Sequence, residues 1–176
     1  VNVAKGKFVT SSEFGNASWD GGPNTADALV DGGKEIYVSP MKPYDTDIIT
    51  IDLLGDYTVN SVEVATYGND DPTNAFYVGD GGSIKVFGKK TKDDLGVELT
   101  REMNGASGYF PVESGGFISN FQANGTEKYR YIEIQYTEGA NAVDMRMPEV
   151  RVFAPSTETG NNKMITPVSF GKSVTA

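Results

Sequence analysis

The chain has 176 residues, of which 38% are hydrophobic and 22% are charged, and its formal net charge is −9. This length favours one domain with its own apolar core, and the composition excludes a disordered chain. The negative charge disfavours nucleic acid and anionic membrane surfaces as partners, because both would be repelled. The sequence also lacks an apolar run of the ~20 residues that a membrane helix needs, so membrane insertion is not expected.

Cysteine and histidine are both absent from the sequence. Their absence excludes a thiol nucleophile, a Ser-His-Asp triad, a Cys/His zinc site and imidazole acid-base catalysis. Carboxylate or lysine chemistry remains available, as does the binding of hard cations by oxygen ligands.

Short runs of alternating apolar and polar residues predict β-strands along most of the chain. The clearest runs are Asp47–Leu53, Val59–Tyr67, Ser83–Phe87, Tyr131–Tyr136 and Pro148–Ala154. Such alternation is typical of antiparallel sheets with one buried face, so the predicted fold class is an all-β antiparallel sandwich. Only Asp94–Met103 has helical spacing, with apolar residues four apart, and Gly96 within it weakens that helix prediction by ~1 kcal/mol.

Four segments between the predicted strands are too long for tight hairpins and are rich in aromatic residues, Asn and Asp. They are Glu13–Thr25, Lys42–Thr46, Gly68–Gly82 and Glu138–Met147. Long loops on a rigid β scaffold commonly carry binding sites. We therefore expect the ligand site in these segments.

Five motifs carry a resemblance to a known family. In chain order they are Asn2–Ser12, Ala28–Gly32, Ile49–Gly55, Arg130–Ile134 and Glu149–Phe153. Each motif is weak alone, but their order and spacing resemble the discoidin family, also called the coagulation factor V/VIII C-type domain. The bacterial branch of that family consists of carbohydrate-binding modules. The resemblance spans residues 2 to 154 and implies an eight-stranded jelly-roll sandwich with a binding site in the loops at one end.

The resemblance also implies a structural calcium ion. Carried over by position, its ligands are the carbonyls of Ala28, Gly33 and Ile36, the Asp31 side chain and Glu149. Oxygen-only ligation around a glycine-rich turn suits calcium. Ile36 departs from the family, which commonly has Thr or Ser there, so this ligand can only be a carbonyl. In the alternative interpretation, Asp31 caps a turn, Glu149 is a solvated strand residue and no metal binds.

Sugar recognition needs an aromatic face for the C–H side of a pyranose and polar groups for its hydroxyls. The candidate ligand-binding residues are Trp19, Tyr67, Asn69, Asp70, Asn74, Phe76, Tyr77, Tyr109 and Arg146. The alternative for each single aromatic residue is that it merely covers the end of the sandwich. Galactose-binding members typically use a His with an Arg and an Asn, so the absence of His leaves the sugar open.

Catalysis is not expected, because adjacent carboxylates such as Asp70 and Asp71 point to opposite faces of an extended chain and cannot flank one bond. The predicted function is a non-catalytic carbohydrate-binding module. It would target a larger secreted or cell-surface bacterial protein, which may itself be a glycoside hydrolase, to a glycan. The alternative is a protein-binding adhesion module that uses the same loops.

The C-terminal segment predicts a further module. Residues 1–154 form the expected domain, 155–167 have the composition of a linker, and 168–176 repeat the opening residues 3–11 with Val, Gly, Lys, Val and Thr at the same places. A repeated opening strand is typical of tandem modules, so neighbouring modules of the same polypeptide are expected partners. Chance similarity between two short segments is the alternative.

Overall fold

The computed structural model describes residues 1–12, 26–32, 37–39, 44–67, 82–107, 116–139 and 145–157. Its strands are β1 (Phe8–Ser11), β2 (Tyr37–Ser39), β3 (Thr46–Thr58), β4 (Ser61–Tyr67), β5 (Ser83–Lys89), β6 (Val97–Glu98), β7 (Thr100–Ser107), β8 (Gly116–Gln122), β9 (Lys128–Thr137), β10 (Met145–Met147) and β11 (Val150–Phe153). A 3₁₀ helix spans Ala26–Val30. Among the residues so described, none belongs to a helix long and apolar enough to cross a membrane.

The strands form two main sheets. One has five strands in the order β1-β3-β9-β5-β6, the other has four in the order β11-β4-β8-β7, and β10 and β2 form a separate ribbon. The strand pairs whose register is recorded are antiparallel. The predicted fold class, an all-β antiparallel sandwich, is therefore confirmed.

The core lies between the two sheets and consists of the apolar residues that alternate along each strand. Ile49 and Ile51 of β3 and Ile132 and Ile134 of β9 have no exposed surface. Their register partners lie directly across the ladder, Ile49 opposite Ile134 and Ile51 opposite Ile132. Burying side chains of this size contributes about 1.5–3 kcal/mol each to the free energy of unfolding. Because β3 and β9 also lie inside the five-stranded sheet, this strand pair forms the centre of the core.

The helix prediction for Asp94–Met103 is wrong. Leu95 is 95% exposed and Leu99 is 4% exposed, so the two do not share one buried face. Gly96 has a φ of +80°, outside the right-handed helical region, and the chain reverses there to begin β6. The Leu99 N–H then donates to the Val86 carbonyl at 2.8 Å, which aligns the chain with β5.

The strand directions define two opposite ends of the sandwich. The first, called the loop end below, is formed by the strand termini Ser11, Thr46, Tyr67, Ser83, Ser107, Gly116 and Thr137. The second, called the terminal end, lies opposite the loop end and carries Val1 and Ala154, where the Val1 ammonium donates to the Ala154 carbonyl at 2.8 Å.

Candidate functional site

The segments that carry the predicted ligand residues are flanked by strands that stop at the loop end. Tyr67 ends β4 and Ser83 begins β5, on either side of the segment predicted to hold most of the site. Ser107 and Gly116 flank the segment with Tyr109, and Ser11 precedes the segment with Trp19. The strand topology thus agrees with the expectation that several loops share one end.

Most of the predicted ligand residues lie outside the described part of the chain. These are Trp19, Asn69, Asp70, Asn74, Phe76, Tyr77 and Tyr109. The backbone is described at two others: Tyr67 is the last residue of β4, and Arg146 lies in β10 opposite Val38. Their side chains are not described, so the ligand set remains a prediction.

A fully buried carboxylate at the loop end, Asp47, anchors the end of β1. The Ser11 hydroxyl donates to Asp47 Oδ1 at 2.7 Å, and the Ser12 hydroxyl donates to the same oxygen at 3.0 Å. The Ile48 N–H donates to Ser12 Oγ at 2.8 Å. Hydrogen bonds of this kind compensate the cost of burying a charge. The chain immediately before the Trp19 segment is therefore fixed to β3.

Sequence reasoning did not single out Asp47 as functional. Its signal is a carboxylate on the same alternating phase as Ile49 and Ile51, which places it on the buried face of β3. A charged residue in a core-facing position needs dedicated partners, and the two consecutive serines at the end of β1 supply them.

A second buried polar side chain, Tyr136 of β9, lies beside Asp47. Tyr136 is the register partner of Asp47, and both are fully buried. Burial raises the pKa of the Tyr136 phenol well above its ordinary value, and the negative charge of Glu138 raises it further. Glu138 is also fully buried. Three buried polar side chains therefore lie at the loop end, namely the carboxylates of Asp47 and Glu138 and the neutral phenol of Tyr136.

Tyr44 is an exposed aromatic residue at the loop end that the sequence did not single out. Its side chain is 66% exposed and its φ is +70°. The Tyr44 N–H donates to the Glu138 carbonyl at 2.7 Å, and the Glu138 N–H donates to the Asp45 carbonyl at 3.0 Å. These bonds extend the β3-β9 ladder and fix the backbone that carries the ring. The only sequence signal was its place in Lys42–Thr46, one of the segments predicted to carry the ligand site.

The structure brings the turn that carries Asp31 next to Glu149, and both residues belong to the predicted calcium set. Ala28 is buried within the 3₁₀ helix, and Asp31 and Gly32 follow directly after it. The Gly32 N–H donates to Glu149 Oε2 at 3.0 Å, although the two residues are 117 apart in sequence. The other two predicted ligands, Gly33 and Ile36, lie outside the described residues.

Glu149 has no exposed surface, so the alternative that it is a solvated strand residue is wrong. A buried carboxylate beside a glycine turn is chemistry that suits a hard cation. Within the described ranges, no group of three or more Asp, Glu, His or Cys side chains forms a metal cluster. The predicted set contains only two such side chains, Asp31 and Glu149, and the calcium site stays a prediction.

Comparison with known proteins supports the fold but gives no close relative. No protein-family model and no curated protein matches the chain. Among solved structures, the chain is similar to chitosan-binding module 1 of a chitosanase/glucanase from Paenibacillus sp. IK-5, with 16% identity, a TM-score of 0.59, and coverage of 88% of this chain and 99% of that one. It is also similar to the lectin domain of lectinolysin complexed with Lewis B antigen, with 17% identity, a TM-score of 0.55, and coverage of 89% and 98%.

A third similar structure is a fucose-binding module of Streptococcus pneumoniae, with 14% identity, a TM-score of 0.53, and coverage of 88% of this chain and 98% of that one. At such identities the likeness shows the fold. The chain therefore shares the fold of these modules, as the resemblance in the sequence implied.

Proposed function

We propose that the protein is a non-catalytic carbohydrate-binding module whose glycan site lies at the loop end. The observation that carries this proposal is the direction of the strands. The segments with the predicted aromatic and polar ligand residues are flanked by strand termini that meet at this one end. The similar structures include modules described as binding chitosan, Lewis B antigen and fucose.

The terminal end suits a tether in a targeting role. Ala154, the last residue of the expected domain, is hydrogen-bonded to Val1 there, so a domain tethered after Ala154 presents its loop end outwards. A tethered module raises the concentration of its partner near a polymer even when its own affinity is weak. The partner in this proposal is a larger secreted or surface-attached bacterial protein, joined through a linker at 155–167 to a second module that begins at 168–176.

The proposal includes a structural calcium ion at the turn after the 3₁₀ helix. The Ala28 carbonyl, the Asp31 carboxylate and Glu149 would hold it together with the carbonyls of Gly33 and Ile36. The ion would supply positive charge to the buried Glu149 carboxylate. Glu149 would tie this turn to the start of β11, so its role is structural and separate from glycan contact.

The test is an array of neutral, amino and uronic-acid glycans, probed with the intact chain in calcium and in chelator. We expect binding to at least one glycan class, and loss of that binding in Trp19→Ala and in Tyr67→Ala without a large change in melting temperature. Phe8→Ala is the matched control, because Phe8 is 62% exposed but lies on β1, away from the candidate segments. An array without any binding, together with specific capture of one protein, would favour the adhesion alternative.

A further inference from the structure

Residues 3–11, called the opening segment below, lead into β1 and form it, and their place in the fold restricts their sequence. Gly6 has a φ of +68°, which a β-branched residue adopts only with strain, and its N–H donates to the last carbonyl of the 3₁₀ helix at 2.8 Å. Val3 and Val9 are 7% and 6% exposed and belong to the core. Phe8 is 62% exposed and is not restricted in this way. The place beside β3 therefore selects two valines and a glycine midway between them.

Residues 168–176, called the repeat segment below, have the same three residues at the same spacing. Aligned with the opening segment, Val168 and Val174 fall on the two buried valines, and Gly171 falls on the glycine with a positive φ. The repeat segment lies outside the described residues, so this comparison sets its sequence against the positions of the opening segment. All three restricted positions are kept, whereas the exposed Phe8 is replaced by a serine.

Two differences make the repeat segment the weaker occupant of this place. The Asn2 side chain, just before the opening segment, accepts hydrogen bonds from two backbone N–H groups at 3.1 and 3.2 Å. The aligned residue is Pro167, whose side chain has no acceptor. The Ser11 hydroxyl donates to a buried carboxylate, and the aligned residue is Ala176. The opening segment should therefore hold the place in the intact chain, and the repeat segment should take it when the opening segment leaves.

The fold lets both segments start from the same point. The Val3 N–H donates to the Val152 carbonyl at 2.8 Å, so the opening segment begins beside β11, the last strand of the domain. From there, residues 155–167 can extend about 40 Å at ~3.3 Å per residue, which is ample to bring Val168 back to the position of Val3. A segment tethered so closely has an effective concentration on the order of millimolar.

We propose that the repeat segment is a second β1, which can replace the opening segment beside β3 of the same chain. β1 is the edge strand of its sheet, so only one ladder has to break and form again. Such an exchange would keep the core covered when the opening segment is cleaved or pulled away. The inference goes beyond the proposed function and does not depend on glycan binding.

The absence of cysteine from the sequence permits a test by disulfide trapping in the full chain. Thr10 pairs with Thr50 across the β1–β3 ladder, and Thr175 is the residue of the repeat segment that aligns with Thr10. Opposed Cα atoms in an antiparallel ladder are about 4.5–5.5 Å apart, a span that a disulfide bridges. Gly6→Val is added to loosen the opening segment. In that background, Thr50→Cys with Thr175→Cys should form a disulfide within one chain after mild oxidation, detected by peptide mass spectrometry.

Two other cysteine pairs control this experiment. Thr10→Cys with Thr50→Cys, without the change at Gly6, shows that the position accepts a disulfide. Ser173→Cys replaces Thr175→Cys as the matched register control, because it aligns two residues before Thr10, and it should crosslink several-fold less. Absence of the disulfide between positions 50 and 175 while the first control forms, or equal crosslinking from position 173, would overturn the proposal. A disulfide found only between two chains would overturn exchange within one chain.

The melting temperature provides a second readout in the cysteine-free chain. Gly171→Val alone should hardly change it, because the opening segment holds the place. Gly6→Val should lower it, and Gly6→Val with Gly171→Val should lower it by more than the two single effects together, since neither segment then fits the positive φ. Additive effects, or a Gly6→Val chain that does not fold, would overturn the proposal.

Discussion

Replacing Glu149 by Gln tests the calcium proposal with little change in shape. The glutamine keeps an oxygen that can accept the Gly32 N–H, now bonded to Glu149 Oε2 at 3.0 Å, but it removes the negative charge. An ion that binds only the folded state stabilises it by about 2.7 kcal/mol at a concentration of 100 Kd. In a domain of about 150 residues, each 1 kcal/mol moves the melting temperature by about 2–4 °C. The wild-type protein should therefore melt about 5–11 °C higher in saturating calcium than in chelator.

Glu149→Gln should lose most of that difference, and its melting temperature should be similar in calcium and in chelator. Glu98→Gln is the control, because Glu98 is an exposed carboxylate in β6, and it should keep the full difference. Differential scanning calorimetry of the three proteins gives the result directly. Identical wild-type curves in calcium and chelator would refute the metal site, and a full calcium effect in Glu149→Gln would refute the role of this residue.

Three further predictions concern the sandwich itself. Gly88→Ala should destabilise the fold by roughly 1–3 kcal/mol, because the new Cβ would lie 2.6 Å from ring carbons of the buried Tyr129. Chemical denaturation should show a smaller loss for Gly55→Ala, where the nearest atom would be Tyr57 Cε2 at 3.5 Å, and equal losses would contradict this packing. Leu54→Gly should leave stability unchanged or raise it by up to about 1 kcal/mol, since Leu54 has a φ of +62°; a clear loss would show that its side chain is needed. Deletion of residues 155–176 should preserve folding and glycan binding, and an unfolded product would mean that the segment belongs to the sandwich.

Much of the fold could be predicted from periodicity because strands buried on one face repeat with a period of two. Ile132 and Ile134 alternate with polar residues, and both are fully buried on the predicted face. The same pattern failed for Asp94–Met103, where four-residue spacing mimicked a helix. The left-handed conformation of Gly96 decided the outcome there, and spacing carries no information about that single dihedral angle.

The candidate site was less predictable because its described parts depend on tertiary contacts. The bond between Gly32 and Glu149 joins two distant motifs, and only the family resemblance brought them together in advance. Tyr44 could not be distinguished from other loop aromatics, since its exposure and its φ of +70° are properties of the fold. Asp47 was part of a predicted strand, but its serine partners became evident only from the pairing of β1 with β3.

The location of glycan binding is tested most directly by mapping amide chemical shifts in the ¹H–¹⁵N NMR spectrum while the best glycan from the array is titrated. We predict that the shifted amides cluster at the loop end, around Ser11, Thr46, Ser83 and Thr137. The amides of the terminal end, such as those of Asn60 and Phe153, should not move. Shifts that cluster at the terminal end, or a spectrum unchanged by every glycan, would contradict a carbohydrate-binding site at the loop end.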